Sequence, residues 1–172
     1  MATNFPELIR TLADAHVEFI IIGGVAARAH GSARFTEDLD VVYRRSAENI
    51  RQVIQALEPH SPYLRGAPPG LPFSWDEQTI RNGLNFTLIT TLGSIDLLGE
   101  VTGGGNYEDL LPHTMSQEFF GVDCRCLDIN TLIRVKRAAG RPKDFEAIAE
   151  LEALVEEADR LGQSAASVKS ID

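Results

Sequence analysis

The sequence predicts an α/β (α+β) protein, a mixed twisted sheet of about five strands flanked by helices, because strand and helix patterns alternate along one chain. Three observations predict it. Apolar, β-branched runs at 17–22 and 39–43 each break sharply into a polar or glycine-rich segment, as buried strands do. Helix-period patterns with polar caps stand before, between and after these runs. Two later pairs of strand-like runs turn around Gly93 and Gly121, close enough to form hairpins.

Taken in order, Asn4 is placed as the N-cap of a short leading helix over 5–13, with Pro6 in its first turn. The strand at 17–22 stops at Gly23-Gly24, and a small-residue helix over 25–30 ends at Gly31. After the strand at 39–43, Ser46 caps an amphipathic helix, Ala47–Leu57. Prolines 59, 62, 68, 69 and 72, with Gly66 and Gly70, break regular structure over 59–72, so a surface loop is expected there. Runs at 85–91 and 94–98 form the first hairpin, and runs at 115–120 and 122–127 the second. A helix starting at Asp128 is interrupted by Gly140-Arg141-Pro142, and a last helix spans 143–161. Residues 1–161 read as a single domain and 162–172 as a frayed C-terminal tail.

With 172 residues, 44% of them hydrophobic and 24% charged, the chain has the makings of one globular core. The N-terminus lacks the pattern of a signal peptide, and no apolar stretch approaches the ~20 residues of a membrane span, so a cytoplasmic protein without membrane partners is expected. A net charge of −9 argues against a broad basic face for gripping nucleic acid. Cys124 and Cys126 fall on one face of a strand with Cα atoms about 7 Å apart, at the limit of disulfide reach and without a zinc-site pattern. They are expected to be core or edge residues.

The chemistry-bearing residues are acidic. Asp38 and Asp40 open a strand and point to the same face, because strand side chains repeat every second residue. Two carboxylates ~7 Å apart on one face repel unless a cation lies between them, and hard oxygen donors select Mg²⁺ or a similar ion. Asp96 stands in an apolar strand run between Ile95 and Leu97, where a buried carboxylate needs a partner. A shared metal site supplies one. The competing reading is a set of solvated carboxylates at strand ends.

The stretch from Gly23-Gly24 through Arg34, Thr36, Asp38 and Asp40 resembles the signature of the DNA polymerase β-type nucleotidyltransferase superfamily, with a glycine pair after the first strand and an Asp-x-Asp strand after it. Asp96 matches that superfamily's third carboxylate. Together with Lys136-Arg137-Ala138-Ala139-Gly140-Arg141-Pro142-Lys143-Asp144, the pattern is similar to minimal nucleotidyltransferases of the abortive-infection toxin kind, over roughly residues 5 to 155. The resemblance implies the nucleotidyltransferase fold and transfer of a nucleoside monophosphate from an NTP to an acceptor hydroxyl, releasing pyrophosphate. It makes Asp38, Asp40 and Asp96 both catalytic residues and ligands of two Mg²⁺ ions, with Mn²⁺ as a substitute. It assigns Gly23, Gly24, Ser32, Arg34, Lys136 and Arg141 to the nucleotide. The partners it implies are an NTP such as ATP, a tRNA or protein acceptor, and a cognate antitoxin. A small-molecule acceptor of the aminoglycoside type, or a catalytically silent binding module with the same fold, are the alternatives.

Blander roles stand beside these. A glycine pair after a strand often marks only a turn. His30 is expected to cap its helix, Ser32 can simply turn the chain, and the basic segment can be a solvated helix face with Asp144 paired to one of its residues. Trp75 is more often packing than a base-stacking platform.

Overall fold

The computed structural model describes residues 2–169, and side chains are described as far as Gln163. In chain order, α1 (Phe5–Asp14) leads into β1 (Phe19–Ile22), α2 (Gly23–Ala29), β2 (Asp38–Tyr43) and α3 (Ala47–Leu57). Both forecast caps are made: Asn4 accepts from the Glu7 amide, and Ser46 from the Asn49 amide. β1 is buried at all four positions because strands lie on both sides of it and helices cover the sheet.

The Pro-rich stretch holds β3 (Tyr63–Leu64), a strand of two residues, and is followed by α4 (Glu77–Asn82), capped by Asp76. A hairpin of β4 (Asn85–Thr90) and β5 (Gly93–Leu98) comes next. A small separate ribbon pairs β6 (Glu100–Val101) with β7 (Gly105–Asn106) and leads into α5 (Tyr107–Leu110). β8 (Thr114–Phe119) and β9 (Val122–Leu127) form the second hairpin, followed by α6 (Ile129–Ala139) and α7 (Asp144–Lys169). At that second turn Phe120 and Gly121 both adopt positive φ, 52° and 83°, the backbone a two-residue hairpin loop needs.

The main sheet is mixed, with order β3-β4-β5-β2-β1-β9-β8. It has seven strands where the sequence suggests about five. The strand no apolar run marks is β3, which two residues and a Pro-rich setting conceal. β2 runs parallel to β5 and antiparallel to β1, so α2 reverses the chain between neighbouring strands instead of making a parallel crossover. The core is apolar side chains of the central strands, with Ile20, Ile21, Leu39, Val41, Ile95 and Leu97 almost wholly buried beneath Leu8, Leu12 and Leu57 of the helices. The last helix continues past residue 161 to Lys169, so residues 162–169, expected to fray, are helical. The end of that expected tail, 170–172, lies outside the described residues. No helix among the described residues is long and apolar enough to cross a membrane.

Cys124 and Cys126 are buried free thiols on β9, as expected of core residues. Burial pushes them up to about 11 and about 12, respectively, which keeps them protonated and unreactive near neutrality.

Candidate active site

Register between β2 and β5 brings the carboxylates together. Asp40 faces Asp96 directly across the parallel pair, and Asp38 lies two residues back on the same side of the same strand. On the other flank Asp40 pairs with Ile22, so the chain leaving β1 passes over the Asp40 side chain. Gly23 is required there. Its φ of +66° suits glycine, and a Cβ on it would lie 2.0 Å from Asp40 Oδ2. Gly24 has a related reason, since a Cβ would lie 2.5 Å from the Thr36 hydroxyl. That hydroxyl is itself engaged, donating to the Asp38 carbonyl at 3.2 Å. The glycine pair is therefore shaped to the two residues that lead into and occupy the acidic strand. Gly23→Ala is expected to cost about 2 kcal/mol through its left-handed backbone and the clash with Asp40. Denaturant unfolding of the variant measures this, and unchanged stability would contradict the contact.

All nine sequence-predicted residues line one cleft of about 300 Å³: Asp38, Asp40, Asp96, Gly23, Gly24, Ser32, Arg34, Lys136 and Arg141. Three carboxylates concentrated in so small a space repel, and the strain shows in Asp40. Burial first, then the Asp96 carboxylate beside it, then Asp38, push its carboxyl from 3.8 up to about 7.

One cation already balances the other two carboxylates. Arg65, the residue after β3, donates from Nη1 to Asp38 Oδ1 at 2.7 Å and from Nη2 to Asp96 Oδ1. Nothing in the sequence pattern marks this arginine. It stands between a two-residue strand and Gly66, and its role depends on β3 joining β4, which places it across the hairpin from Asp96.

The basic residues have divergent roles. Lys136 is mostly buried, and burial lowers its ammonium, an effect opposed by Asp144 at 4.0 Å and by Asp40. Arg141 holds the buried Asp144 through two bonds of 2.7 and 3.3 Å. Asp144 is thus the anchor of this segment, and the expected pairing is with both Arg141 and Lys136. Arg137 points away, exposed and paired with Glu152. Arg34 reaches Glu146 at 3.4 Å. Ser32 lines the cleft, but it is buried and its hydroxyl donates to Glu150, whose other oxygen accepts from the Ala33 amide at 3.2 Å. Glu150 was hidden in a long amphipathic helix, where a carboxylate signals only a polar face. His30 forms the C-terminal cap of α2 and bonds the Leu127 carbonyl at 2.8 Å, and Trp75 donates to the Ile54 carbonyl at 3.1 Å, so both are structural.

A second pocket of about 390 Å³ adjoins the first and is also lined by Asp40, Asp96, Lys136 and Arg141. Its remaining walls are mostly apolar, from Leu98, Leu132 and Val135, with Asn85 and Glu100 at polar points. Asp40 and Asp96 therefore line both a cleft of mixed charge and a more apolar pocket.

No protein-family model and no curated protein matches the chain. Among solved structures, the solution structure of the antibiotic-resistance factor ANT(2″)-Ia aligns over 99% of this chain and 98% of that one, with a TM-score of 0.56 and 16% identity. The crystal structure of ANT(2″)-Ia in complex with adenylyl-2″-tobramycin aligns over 96% and 95%, with a TM-score of 0.56 and 13% identity. The chain has the nucleotidyltransferase fold. At these identities the likeness is one of architecture.

The donor set of the cleft suits a hard divalent cation, being carboxylate oxygen with no thiol or imidazole on its walls. Among the described residues, no group of three or more His, Cys, Asp or Glu is arranged to hold a metal ion as it stands. The Arg65 guanidinium already spans Asp38 and Asp96.

Proposed function

We propose that the protein is a metal-dependent nucleotidyltransferase that moves a nucleoside monophosphate from an NTP to an acceptor hydroxyl. The observation that carries this is the in-register facing of Asp40 and Asp96, with Asp38 beside them, in a cleft that also holds Lys136, Arg141 and Arg34. Asp38 and Asp40 would hold the ion that accompanies the triphosphate, and Asp96 would share a second. Bound there, Mg²⁺ ions, or Mn²⁺ in their place, supply charge neutralisation of the phosphates and activation of the hydroxyl. Lys136, Arg141 and Arg34 meet the phosphate oxygens, and the glycine turn lets backbone approach them. The acceptor oxygen bonds to the α-phosphorus, the α–β anhydride bond breaks and pyrophosphate leaves. Asp96 is placed to draw the hydroxyl proton.

The acceptor is a tRNA or protein and the setting a toxin with a cognate antitoxin, supported by the resemblance of residues 23–40 and 136–144 to the minimal toxin-type enzymes. A small-molecule acceptor is the second reading. It is favoured by the second pocket beside Asp96 and by the likeness to a structure in complex with adenylyl-2″-tobramycin. Incubation with each labelled NTP and Mg²⁺, against total RNA, total protein and an aminoglycoside panel, separates them by which pool gains label. No label in any pool, with no NTP binding by calorimetry, would leave only a silent module of this fold.

Lys136 supplies a further test. Lys136→Met keeps the aliphatic stem and is expected to weaken NTP binding about tenfold at low salt, with a smaller difference near 1 M salt as the charge is screened. Arg141→Ala should weaken it too, but it also strands the buried Asp144 carboxylate and lowers stability. NTP titrations at two salt concentrations check both, and equal affinity in all proteins would remove the segment from the site.

A further inference from the structure

Arg65 has no part in the reaction outlined above, yet its side chain bonds the carboxylates of the cleft. It is about three-quarters buried and bonds two of the three carboxylates assigned to metal. Its backbone is pinned: the Arg65 amide donates to the Thr87 carbonyl at 3.0 Å, extending the β3–β4 ladder, and the Ala67 amide closes a turn onto the Leu64 carbonyl at 3.2 Å. Tyr63 fastens the same turn through its hydroxyl to the Pro68 carbonyl at 2.6 Å and packs edge-on against Phe73. The guanidinium is therefore delivered to the carboxylates by a fixed anchor, and it can leave them by side-chain rotation alone.

A guanidinium does not lose its proton at any physiological pH, so it cannot vacate the carboxylates by neutralising itself. It can only be exchanged for another cation. Divalent ions held by Asp38 and Asp96 would compete with the Arg65 guanidinium for the oxygens of these two carboxylates.

We propose that Arg65 is a resident counter-cation of the carboxylate cleft which the catalytic divalent ions must displace, so that it sets how tightly the site takes metal. This rests on the metal-dependent reading of the same cleft. Until metal arrives, Arg65 holds Asp38 and Asp96 close in spite of their like charge. Once it is displaced, the site is complete for the triphosphate ion. Metal loading becomes an exchange of one cation for another, and the apparent affinity for metal alone is lower than the three carboxylates would give by themselves.

The experiment titrates the full chain with Mn²⁺ alone, without nucleotide, by calorimetry and by the loss of free-ion EPR signal. Wild type is compared with Arg65→Met, Arg65→Lys and Arg10→Ala, the last removing an equal formal charge from the exposed face of α1. Arg65→Met is expected to bind Mn²⁺ about tenfold more tightly than wild type, the size of one lost charge-assisted bond. Arg65→Lys should fall between them, because an ammonium is a point charge that does not fork across two carboxylates. Arg10→Ala should match wild type. Equal or weaker binding by Arg65→Met overturns the proposal, and so does equal tightening in Arg10→Ala, which would make the effect one of overall charge. If Arg65→Met folds poorly, Arg65→Lys carries the same comparison, and a wild-type affinity there overturns it. Silence of wild type and every variant toward Mn²⁺ defeats the metal reading and this proposal together. Binding by wild type with no tightening in the variants defeats this proposal alone.

Discussion

Asp40→Asn is expected to abolish nucleotidyl transfer, lowering turnover by about 10³-fold or more, while leaving the protein folded and more stable than wild type near neutral pH. Two effects combine in this one residue. Asp40 is the carboxylate through which β2 meets both Asp96 and the glycine turn, so its charge is the one best placed to hold an ion between them. That same placement is costly without a cation. Burial, with Asp96 and Asp38 nearby, holds the Asp40 carboxyl at about 7, against 3.8 in the unfolded chain. The folded protein therefore keeps a proton that the unfolded chain has already released. Between about pH 4 and about pH 7 stability falls as pH rises, and above that window the full cost is present. Asparagine has no charge to lose, so in a chelating buffer the difference in unfolding midpoint between Asp40→Asn and wild type should be small at pH 4.5 and should widen by pH 8. Mg²⁺ should narrow it, by stabilising wild type and leaving the variant unchanged. Thermal unfolding at three pH values, with chelator and with Mg²⁺, checks the sign. A difference that does not change with pH would mean that Asp40 is not the strained group.

The residues that make this argument were readable in the sequence to an uneven degree. Asp38 and Asp40 stand two apart in an apolar strand, and Asp96 interrupts another, so period-two patterning alone puts them on defined faces. That β2 pairs with β5, bringing Asp40 opposite Asp96, was not legible, since strand order leaves no trace in local composition, and the resemblance implied only that the three carboxylates share a site. Caps at Asn4 and Ser46 were legible because one side chain serves an amide three residues on, a purely local event. β3 and Arg65 were not legible. Two residues carry no periodicity, the surrounding prolines signal a loop, and the meaning of Arg65 exists only once Tyr63 and Leu64 pair with Ile89 and Leu88. Glu150 was hidden for a related reason, because a helix presents its polar face to whatever packs against it and the sequence does not say that Ser32 does.

For Asp96→Asn the expected outcome is different in kind from that for Asp40. Turnover falls by about 10³-fold, while NTP affinity stays within about threefold of wild type. The reason is position: Asp96, unlike Asp38, also lines the second pocket, beside Asn85 and Glu100, and Arg34 and Lys143 do not line that pocket. A hydroxyl entering by that pocket meets Asp96 before it meets Asp38. On the proposed reading the charge lost would be the one that attracts the hydroxyl proton, and the groups that would meet the triphosphate are untouched. Asparagine retains an oxygen to accept from Arg65, so the link from β3 across the hairpin persists and the fold should be unaffected. Single-turnover transfer rates and nucleotide titrations on the same protein separate the two quantities. A parallel collapse of NTP affinity would move Asp96 to the triphosphate ion. Unchanged turnover would take the hydroxyl proton to another acceptor, of which Glu100 is the carboxylate lining the same pocket.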